Sequence, residues 1–269
     1  ELSWTWVVIG LVLGSIIGAF FAIKVQMTQM PQLVAIFNGF GGGASALVAC
    51  AEFSGYLNIP NAYLKTALDG QSFTLVAIAL SIIVGTLTLT GSFIAFGKLQ
   101  GFISGQPITF KGQQPLNAIL AIFMIVCAIF MLMGGDLFTA SFYLLIVLAA
   151  LLGILLVIPI GGADMPVVIA LLNSYSGIAA SAAGFVVNNN LLIVAGAIVG
   201  ASGLILTNIM CKAMNRTLGH VLFGGMGATS TTTSSEGATG EVKPIVAEDA
   251  ALILEAAQSV SFIPGYGMA

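Results

Sequence analysis

Seven long apolar runs, separated by short polar segments, dominate the pattern of this chain. Each run approaches or exceeds the ~20 residues that an α-helix needs to cross the hydrocarbon core of a bilayer. The pattern therefore predicts an all-α polytopic membrane protein with about seven spanning helices and a short cytoplasmic tail. The predicted spans are residues 3–23, 31–53, 72–96, 116–133, 138–158, 165–187 and 191–214.

The second and sixth predicted helices begin with the same sequence pattern. Aligned without a gap, the matching residues are Met30 and Met165, Pro31 and Pro166, Ala35 and Ala170, Asn38 and Asn173, and Gly42 and Gly177. Proline is tolerated in a first helical turn, because the N–H that it lacks has no intrahelical partner there. Each copy then places one asparagine at the same depth, roughly 10 Å along the helix. Such a matched pair of amides indicates a function.

Composition supports a membrane location. The 269 residues are 58% hydrophobic and 6% charged, with a mean hydropathy of +1.09, whereas a soluble domain has roughly 25% charged residues. The lipid bilayer is therefore an expected partner, and no nucleic-acid partner is expected. Cys50, Cys127 and Cys211 lie far apart inside apolar runs, so their spacing indicates neither a disulfide framework nor a metal site.

The basic residues predict an orientation. One side of the membrane collects five of them and the other side has Lys65 alone; the five are Lys24, Lys98, Lys111, Lys212 and Arg216. Because basic residues flanking spans favour the cytoplasm, we place the first side there. The second and sixth helices then both enter from the cytoplasm. The duplication is therefore a parallel repeat, related by an axis along the membrane normal.

After the seventh helix the composition becomes polar. Residues 224–240 are rich in Gly, Ser and Thr, which is typical of a flexible linker. A helical pattern returns over 247–258, and residues 260–263 resemble a strand that leads into Gly265, Tyr266 and Gly267. A strand followed by Gly-x-Gly begins a dinucleotide-binding turn, although a plain glycine turn is the alternative. The predicted domains are a transmembrane domain (1–216), a linker (217–246) and the start of a Rossmann-like domain (247–269).

Candidate functional side chains lie on two helices. Asn38, Ser45 and Glu52 are spaced by seven, so they form a stripe along the second helix, and Asn173 and Ser176 lie on the sixth. Polar groups at membrane depth commonly mark ion or proton paths, whereas packing, or for Glu52 an interfacial position, is the alternative. No Asp, Glu, His, Lys or Arg falls near mid-membrane. A titrating group would therefore come from another chain or from water.

Asp164 lies at the start of the sixth helix. It is predicted either to cap this helix or to act as a gate that faces the soluble domain. The Gly, Ala and Ser faces of the third, sixth and seventh helices favour close helix packing. His220 is predicted to be a solvated residue.

Four motifs in order along the chain resemble the β subunits of proton-translocating nicotinamide nucleotide transhydrogenases. They are Gly161-Gly-Ala-Asp-Met-Pro-Val-Val, Leu172-Asn-Ser-Tyr-Ser-Gly177, Ile209-Met-Cys-Lys-Ala-Met-Asn-Arg216 and Pro264-Gly-Tyr-Gly-Met-Ala269. The resemblance implies a membrane domain that couples proton passage to hydride transfer between NAD(H) and NADP(H). A secondary transporter or channel built on the repeat, and a structural anchor, remain the alternatives.

The resemblance also implies partners and roles. NADP(H) would bind a domain after the membrane helices, near Gly265–Gly267, and NAD(H) would bind the partner α subunit. The complex would be a dimer of αβ units in the bacterial cytoplasmic membrane. Asn173 and Asp164 would match family positions linked to proton conduction and to coupling with the nucleotide domain. Lys212 and Arg216 are predicted to take part in that coupling because they lie, with Asp164, where the sixth and seventh helices meet the cytoplasm.

The resemblance further implies that the sequence is a fragment. Family members have two further N-terminal helices and a complete nucleotide domain, so this piece alone is expected neither to bind nucleotide nor to catalyse hydride transfer. Some members carry a proton-channel histidine where this sequence has Asn38. In others the histidine comes from an α-subunit helix, and this chain resembles the second kind.

The basic-residue count predicts a labelling result. Single cysteines in Lys65→Cys and Lys111→Cys should show opposite accessibility to a membrane-impermeant thiol reagent in intact cells, because the two positions are assigned to opposite sides. Position 65 should react from outside and position 111 should be protected. Equal accessibility from outside would contradict the seven-helix topology.

Overall fold

The computed structural model describes most of the chain, in two compact units that cover residues 1–227 and 228–269. The described residues are 4–57, 59, 63, 66, 68–223 and 247–261. Regular structure in this part of the chain is entirely helical, which confirms the predicted all-α class.

Seven of the described helices are long and apolar enough to span a membrane. They are α1 Trp4–Lys24, α2 Met30–Leu57, α3 Ser72–Leu99, α4 Gln113–Met133, α5 Phe138–Val157, α6 Met165–Val186 and α7 Asn190–Ala213. Each lies within four residues of its predicted ends. One of these differences matters for the site. Helix α3 continues to Leu99, past its predicted end at residue 96, so Lys98 lies inside its last turn.

Helix α3 is the centre of the first unit and packs against α2, α5 and α6. Its contact with α2 is close because both helices present glycine there. A Cβ on Gly85 would lie 2.6 Å from the carbonyl oxygen of Gly42, and a Cβ on Gly42 would lie 2.8 Å from Thr88 Cβ. Small residues of this kind let helix backbones approach within a bilayer, where water no longer drives association.

The two copies of the repeat adopt the same local structure. A 3₁₀ turn precedes each Met-Pro start, Met27–Gln29 before α2 and Gly162–Asp164 before α6. The two helices also lie beside each other on α3. The buried hydroxyl of Ser81 reaches Ser45 O at 3.0 Å on α2 and Ala179 O at 3.2 Å on α6. Since α2 and α6 both run antiparallel to α3, they are parallel to each other.

Helices α6 and α7 form a closely packed antiparallel pair. A Cβ on Gly177 would collide with the backbone nitrogen of Gly200 and would lie 2.8 Å from Gly196 O. The turn between these helices is built from asparagines. Asn188 has a positive φ of 55° that ends α6, and the side chain of Asn189 accepts a hydrogen bond from Leu192 N at 3.1 Å to begin α7.

The outer helices present apolar side chains to their surroundings. Helix α1 has no buried residue, and its exposed side chains include Trp4, Leu11 and Phe20. In a soluble protein such surface would be a liability, whereas it is typical of helices that span a membrane. At the opposite end of the bundle from Lys24, Phe53 of α2 is fully buried and stacks on Phe142 of α5, with ring centroids 4.0 Å apart.

Two short helices follow the spans. Helix α8, Leu218–Phe223, lies at the start of the segment predicted as a linker, and Val221 is buried in the first unit. The sequence pattern does not predict this helix. In the second unit, α9 Ala247–Ala256 agrees with the predicted helix over 247–258. Val260 and Ser261 are not in a strand, and the rest of the predicted strand, with Gly265, Tyr266 and Gly267, lies outside the described residues, as do 224–246 and Lys65.

The α6–α7 contact leads to a stability prediction. Gly177→Ala should lower the thermal unfolding midpoint of the purified protein in detergent, because the added methyl group has no space and overpacking costs roughly 1–3 kcal/mol. The matched control is Gly41→Ala on α2, where a Cβ would meet nothing within 4 Å. This control should be neutral or slightly stabilising, because alanine favours helix by up to ~1 kcal/mol. Equal midpoints for the two variants would contradict the close contact.

Candidate functional site

A hydrogen-bonded cluster of uncharged side chains joins α2, α3 and α6. Asn38 Nδ2 donates to Ser92 Oγ at 3.1 Å, and Ser176 Oγ donates to Asn38 Oδ1 at 2.8 Å. Ser92 is 1% exposed, whereas Asn38 and Ser176 are half-buried. Each residue comes from a different helix, so the cluster requires all three helices to be in register. We call Asn38, Ser92 and Ser176 the amide cluster.

Asn173 joins this cluster through its backbone. Ser176 Oγ lies 2.8 Å from Asn173 O as well as from Asn38 Oδ1, so its single proton is shared between two acceptors. The Asn173 side chain is half-buried and makes no hydrogen bond to the described residues. It can therefore bind water or a polar group of another chain. The two asparagines of the repeat are thus linked by Ser176 and do not bond to each other directly.

The rest of the predicted stripe on α2 does not extend the cluster. Ser45 is buried, and its hydroxyl donates to Gly41 O of its own helix at 3.2 Å. Glu52 is exposed and forms no hydrogen bond to the described residues. The structure therefore places Ser45 at the α2–α3 contact and Glu52 on the surface, at the far end of α2 from Asn38.

Asp164 forms an ion pair at the end of the bundle where α2 and α6 begin. Arg216 Nη1 lies 2.9 Å from Asp164 Oδ2, and the side chains are 43% and 13% exposed. Asp164 occupies the N-cap position of α6, but its side chain makes no capping hydrogen bond. Its Oδ1 is buried and without a partner among the described residues. The Asp164 side chain therefore pairs with Arg216 and does not cap α6.

The end of α7 positions Arg216 for this pair. Asn215 has a positive φ of 54°, Asn215 N donates to Lys212 O at 3.0 Å, and Arg216 N donates to Cys211 O at 2.9 Å. This pair of bonds is the Schellman motif, which ends helices at a left-handed residue, most often glycine and sometimes asparagine. The turn reverses the chain, so that Arg216 reaches across to α6. Lys212 and His220 are exposed, and no ion pair of theirs with a described residue is found.

Lys98 departs from the expectation for a loop lysine. It is 4% exposed, and its Nζ donates to Ile158 O at 2.6 Å, Ile160 O at 2.8 Å and Gln106 O at 3.2 Å. The lysine still lies at the end of the bundle that the basic-residue count assigned to it. It is, however, a buried structural cation, because its ammonium is surrounded by carbonyl oxygens.

Metal chemistry receives no support from the described part of the chain, where no group of three or more His, Cys, Asp or Glu side chains could hold a metal ion. Its cysteines, Cys50, Cys127 and Cys211, are free.

The sequence model of the family described as NAD(P) transhydrogenase beta subunit matches residues 1–269. Two curated relatives from Rhodospirillum rubrum, one of them from a named strain, are each 47% identical to this chain over 270 aligned positions, which is 99% of the chain. This chain belongs to the transhydrogenase beta-subunit family. The matches cover 57% of each relative, and both relatives are named NAD(P) transhydrogenase subunit beta.

Three contributors to the site are not identified by the sequence pattern. By sequence, Ser92 belongs with the small residues of its helix, Lys98 with the cations that flank the predicted spans, and Asn215 with no candidate site. A local signal existed for Asn215, because asparagine after a helical run is typical of a helix C-terminus. For Ser92 and Lys98 the partners lie on other helices, and no local pattern identifies them.

The Schellman turn at Asn215 gives a testable prediction. Asn215→Val should displace Arg216 from Asp164, because a β-branched residue disfavours positive φ, whereas Asn215→Gly should keep the turn. Spin labels at Ala163→Cys and Thr217→Cys, both exposed positions, would report the distance between the two segments. We expect a broader and longer distance distribution for the valine variant alone. The same distribution in both variants would mean that the turn does not position Arg216.

Proposed function

We propose that this chain is the proton-conducting membrane part of a transhydrogenase beta subunit, which couples proton movement to hydride transfer between NAD(H) and NADP(H). The observation that carries the proposal is the amide cluster, which joins the two repeat helices and α3 in a chain whose family is that of transhydrogenase beta subunits. Polar side chains are costly at membrane depth, so a connected set of them on three helices favours a path for protons or water.

The amide cluster contains no titratable group, and this defines its proposed role. Asparagine and serine neither gain nor lose a proton near neutral pH, but they donate and accept hydrogen bonds at the same time. Asn38 uses its amide nitrogen towards Ser92 and its oxygen towards Ser176, so its orientation is fixed. The Asn173 amide is then the group that would hold a water or orient an imidazole from a partner helix.

The Asp164–Arg216 pair is the proposed link between this path and a nucleotide-binding domain. It lies at the end where α6 begins, nine residues before Asn173, and it ties the start of α6 to the end of α7. Because Arg216 is partly exposed, the pair contributes only about 0.2–1 kcal/mol and can be exchanged at low cost. A pair of that strength suits a contact that is remade during each cycle, and exposed Lys212 would add positive charge beside it.

The remaining parts of the proposal concern the complete protein. NADP(H) would bind a domain that includes Gly265, Tyr266 and Gly267, and NAD(H) would bind an alpha subunit whose membrane helices pack beside this chain. The assembly would be a dimer of alpha–beta units in the bacterial cytoplasmic membrane, with the Asp164 end facing the cytoplasm. Ser45 and Glu52 are not bonded to the amide cluster, so they would continue the path towards the opposite side only through water. This piece alone would not catalyse hydride transfer.

Substitution of the two asparagines tests the proposed path in the complete alpha–beta enzyme. Asn38→Leu removes two neutral hydrogen bonds of roughly 0.5–1.5 kcal/mol each, and Asn173→Leu removes a proposed bond to a charged partner of roughly 1.5–3 kcal/mol. Each should therefore lower the proton-coupled rate about ten- to a hundredfold. Hydride exchange between the isolated soluble domains should be unchanged. The matched control is Asn208→Leu, because Asn208 is exposed on α7 and forms no hydrogen bond to the described residues.

Two further variants refine this test. Ser176→Ala should also lower the coupled rate, because it removes the link between Asn38 and the Asn173 turn. Asn38→His should be better tolerated than Asn38→Leu, since an imidazole keeps a donor and an acceptor at this position. Normal pumping in both leucine variants, at matched expression, would refute the proposed path.

A further inference from the structure

The ammonium of Lys98 is buried and fully hydrogen-bonded. A lysine ammonium has three N–H donors, and three carbonyl oxygens accept from Lys98 Nζ at 2.6 to 3.2 Å. Burial of a charge is costly unless every donor finds a partner, so a 4% exposed lysine at this site requires all three carbonyls to remain in place. The side chain and its acceptors therefore form one rigid unit.

The electrostatics of this unit explain why a cation is stable there. Helix α5 ends at Val157, and Ile158 and Ile160 follow directly. The carbonyl groups at a helix C-terminus are unpaired and carry the negative end of the helix dipole, which favours a cation. A further carbonyl of this last turn, Leu155 O, accepts from Gln113 Nε2 of α4 at 2.9 Å. Side chains of α3 and α4 thus cap α5.

The acceptors of Lys98 belong to two different connections. Gln106 lies in the α3–α4 connection, whereas Ile158 and Ile160 lie in the α5–α6 connection. Backbone bonds join the same two segments: Gly162 N donates to Gly105 O at 2.8 Å and Ile108 N donates to Ile158 O at 3.3 Å. Lys98 therefore binds both connections, in addition to these two backbone bonds.

The segment that Lys98 binds, residues 158–160, is followed closely by Asp164 of the ion pair. Ile160 is four residues before Asp164, and the Gly162–Asp164 turn lies between the Lys98 bonds and α6. We propose that Lys98 is a positioning residue, whose bonds to Ile158, Ile160 and Gln106 hold Asp164 where Arg216 can reach it. The part of this inference that concerns coupling rests on the proposed function of Asp164.

Hydrogen exchange tests the positioning role without any assay of activity. Lys98→Met keeps most of the stem but removes the donors, so exchange protection of the Gly162 and Ile108 amides should fall roughly ten- to a hundredfold in the complete complex. Lys98→Arg, which keeps charge and donors, should retain most of the protection. The control is Lys111→Met, because Lys111 is an exposed lysine of the same connection without a hydrogen bond to the described residues.

The result that overturns the inference is equal protection in Lys98→Met and Lys111→Met. If methionine prevents accumulation of the protein, Lys98→Gln replaces it, since glutamine keeps only two neutral donors. The same loss of protection is then expected, and wild-type protection in Lys98→Gln would equally overturn the inference.

A double-mutant cycle in the complete alpha–beta enzyme tests whether Lys98 acts through Asp164. If it does, Lys98→Met should lower the proton-coupled rate about tenfold in the parent enzyme and by less than about twofold in the Asp164→Asn background. Equal fold-losses in the two backgrounds would mean that Lys98 acts independently, and would overturn the link to Asp164. Failure of the proposed function gives a different result, because Asp164→Asn alone would then leave the proton-coupled rate unchanged. The hydrogen-exchange comparison would still test whether Lys98 positions the segment before Asp164.

Discussion

The close approach of helix backbones at glycine is the constraint on which the rest of this structure depends. Between spanning helices there is no water to expel, so association relies on packing and on interhelical hydrogen bonds. Gly42 faces Gly85, and Gly177 faces Gly200, at distances that leave no space for a Cβ. Only because α2, α3 and α6 approach this closely do short side chains such as Ser92 reach across to another helix.

A second constraint, that buried backbone polar groups need partners, shapes the end of the bundle that contains Asp164. The carbonyls at the end of α5 are satisfied by Lys98 and Gln113, and the end of α7 is satisfied by the turn at Asn215. In both cases the group that satisfies the carbonyls at a helix end also positions a residue of the Asp164–Arg216 pair. The turn at Asn215 directs Arg216, and the Lys98 bonds fix the segment that leads into Asp164.

The bundle separates uncharged polar groups from charged ones, and the separation suits the proposed function. Asn38, Ser92 and Ser176 lie within the helices, where an isolated charge would be costly. Asp164 and Arg216 lie at the helix ends, where water lowers the cost of breaking and remaking their pair. In the proposed function, a proton that crosses this bundle would therefore be carried by water or by a partner's side chain. The asparagine amides would hold that water or orient that side chain.

Sequence by itself determined the spans, the parallel repeat and the family, because hydrophobic runs, the Met-Pro starts and long motifs are local properties of the chain. It also singled out Asn38 and Asp164, whose residue types are unusual for their positions. Only the tertiary structure decided their partners: Ser176 is 138 residues from Asn38, and Arg216 is 52 residues from Asp164. The physical reason is that a side-chain hydrogen bond depends on which helices are neighbours and on their register, and glycine contacts between distant segments set both.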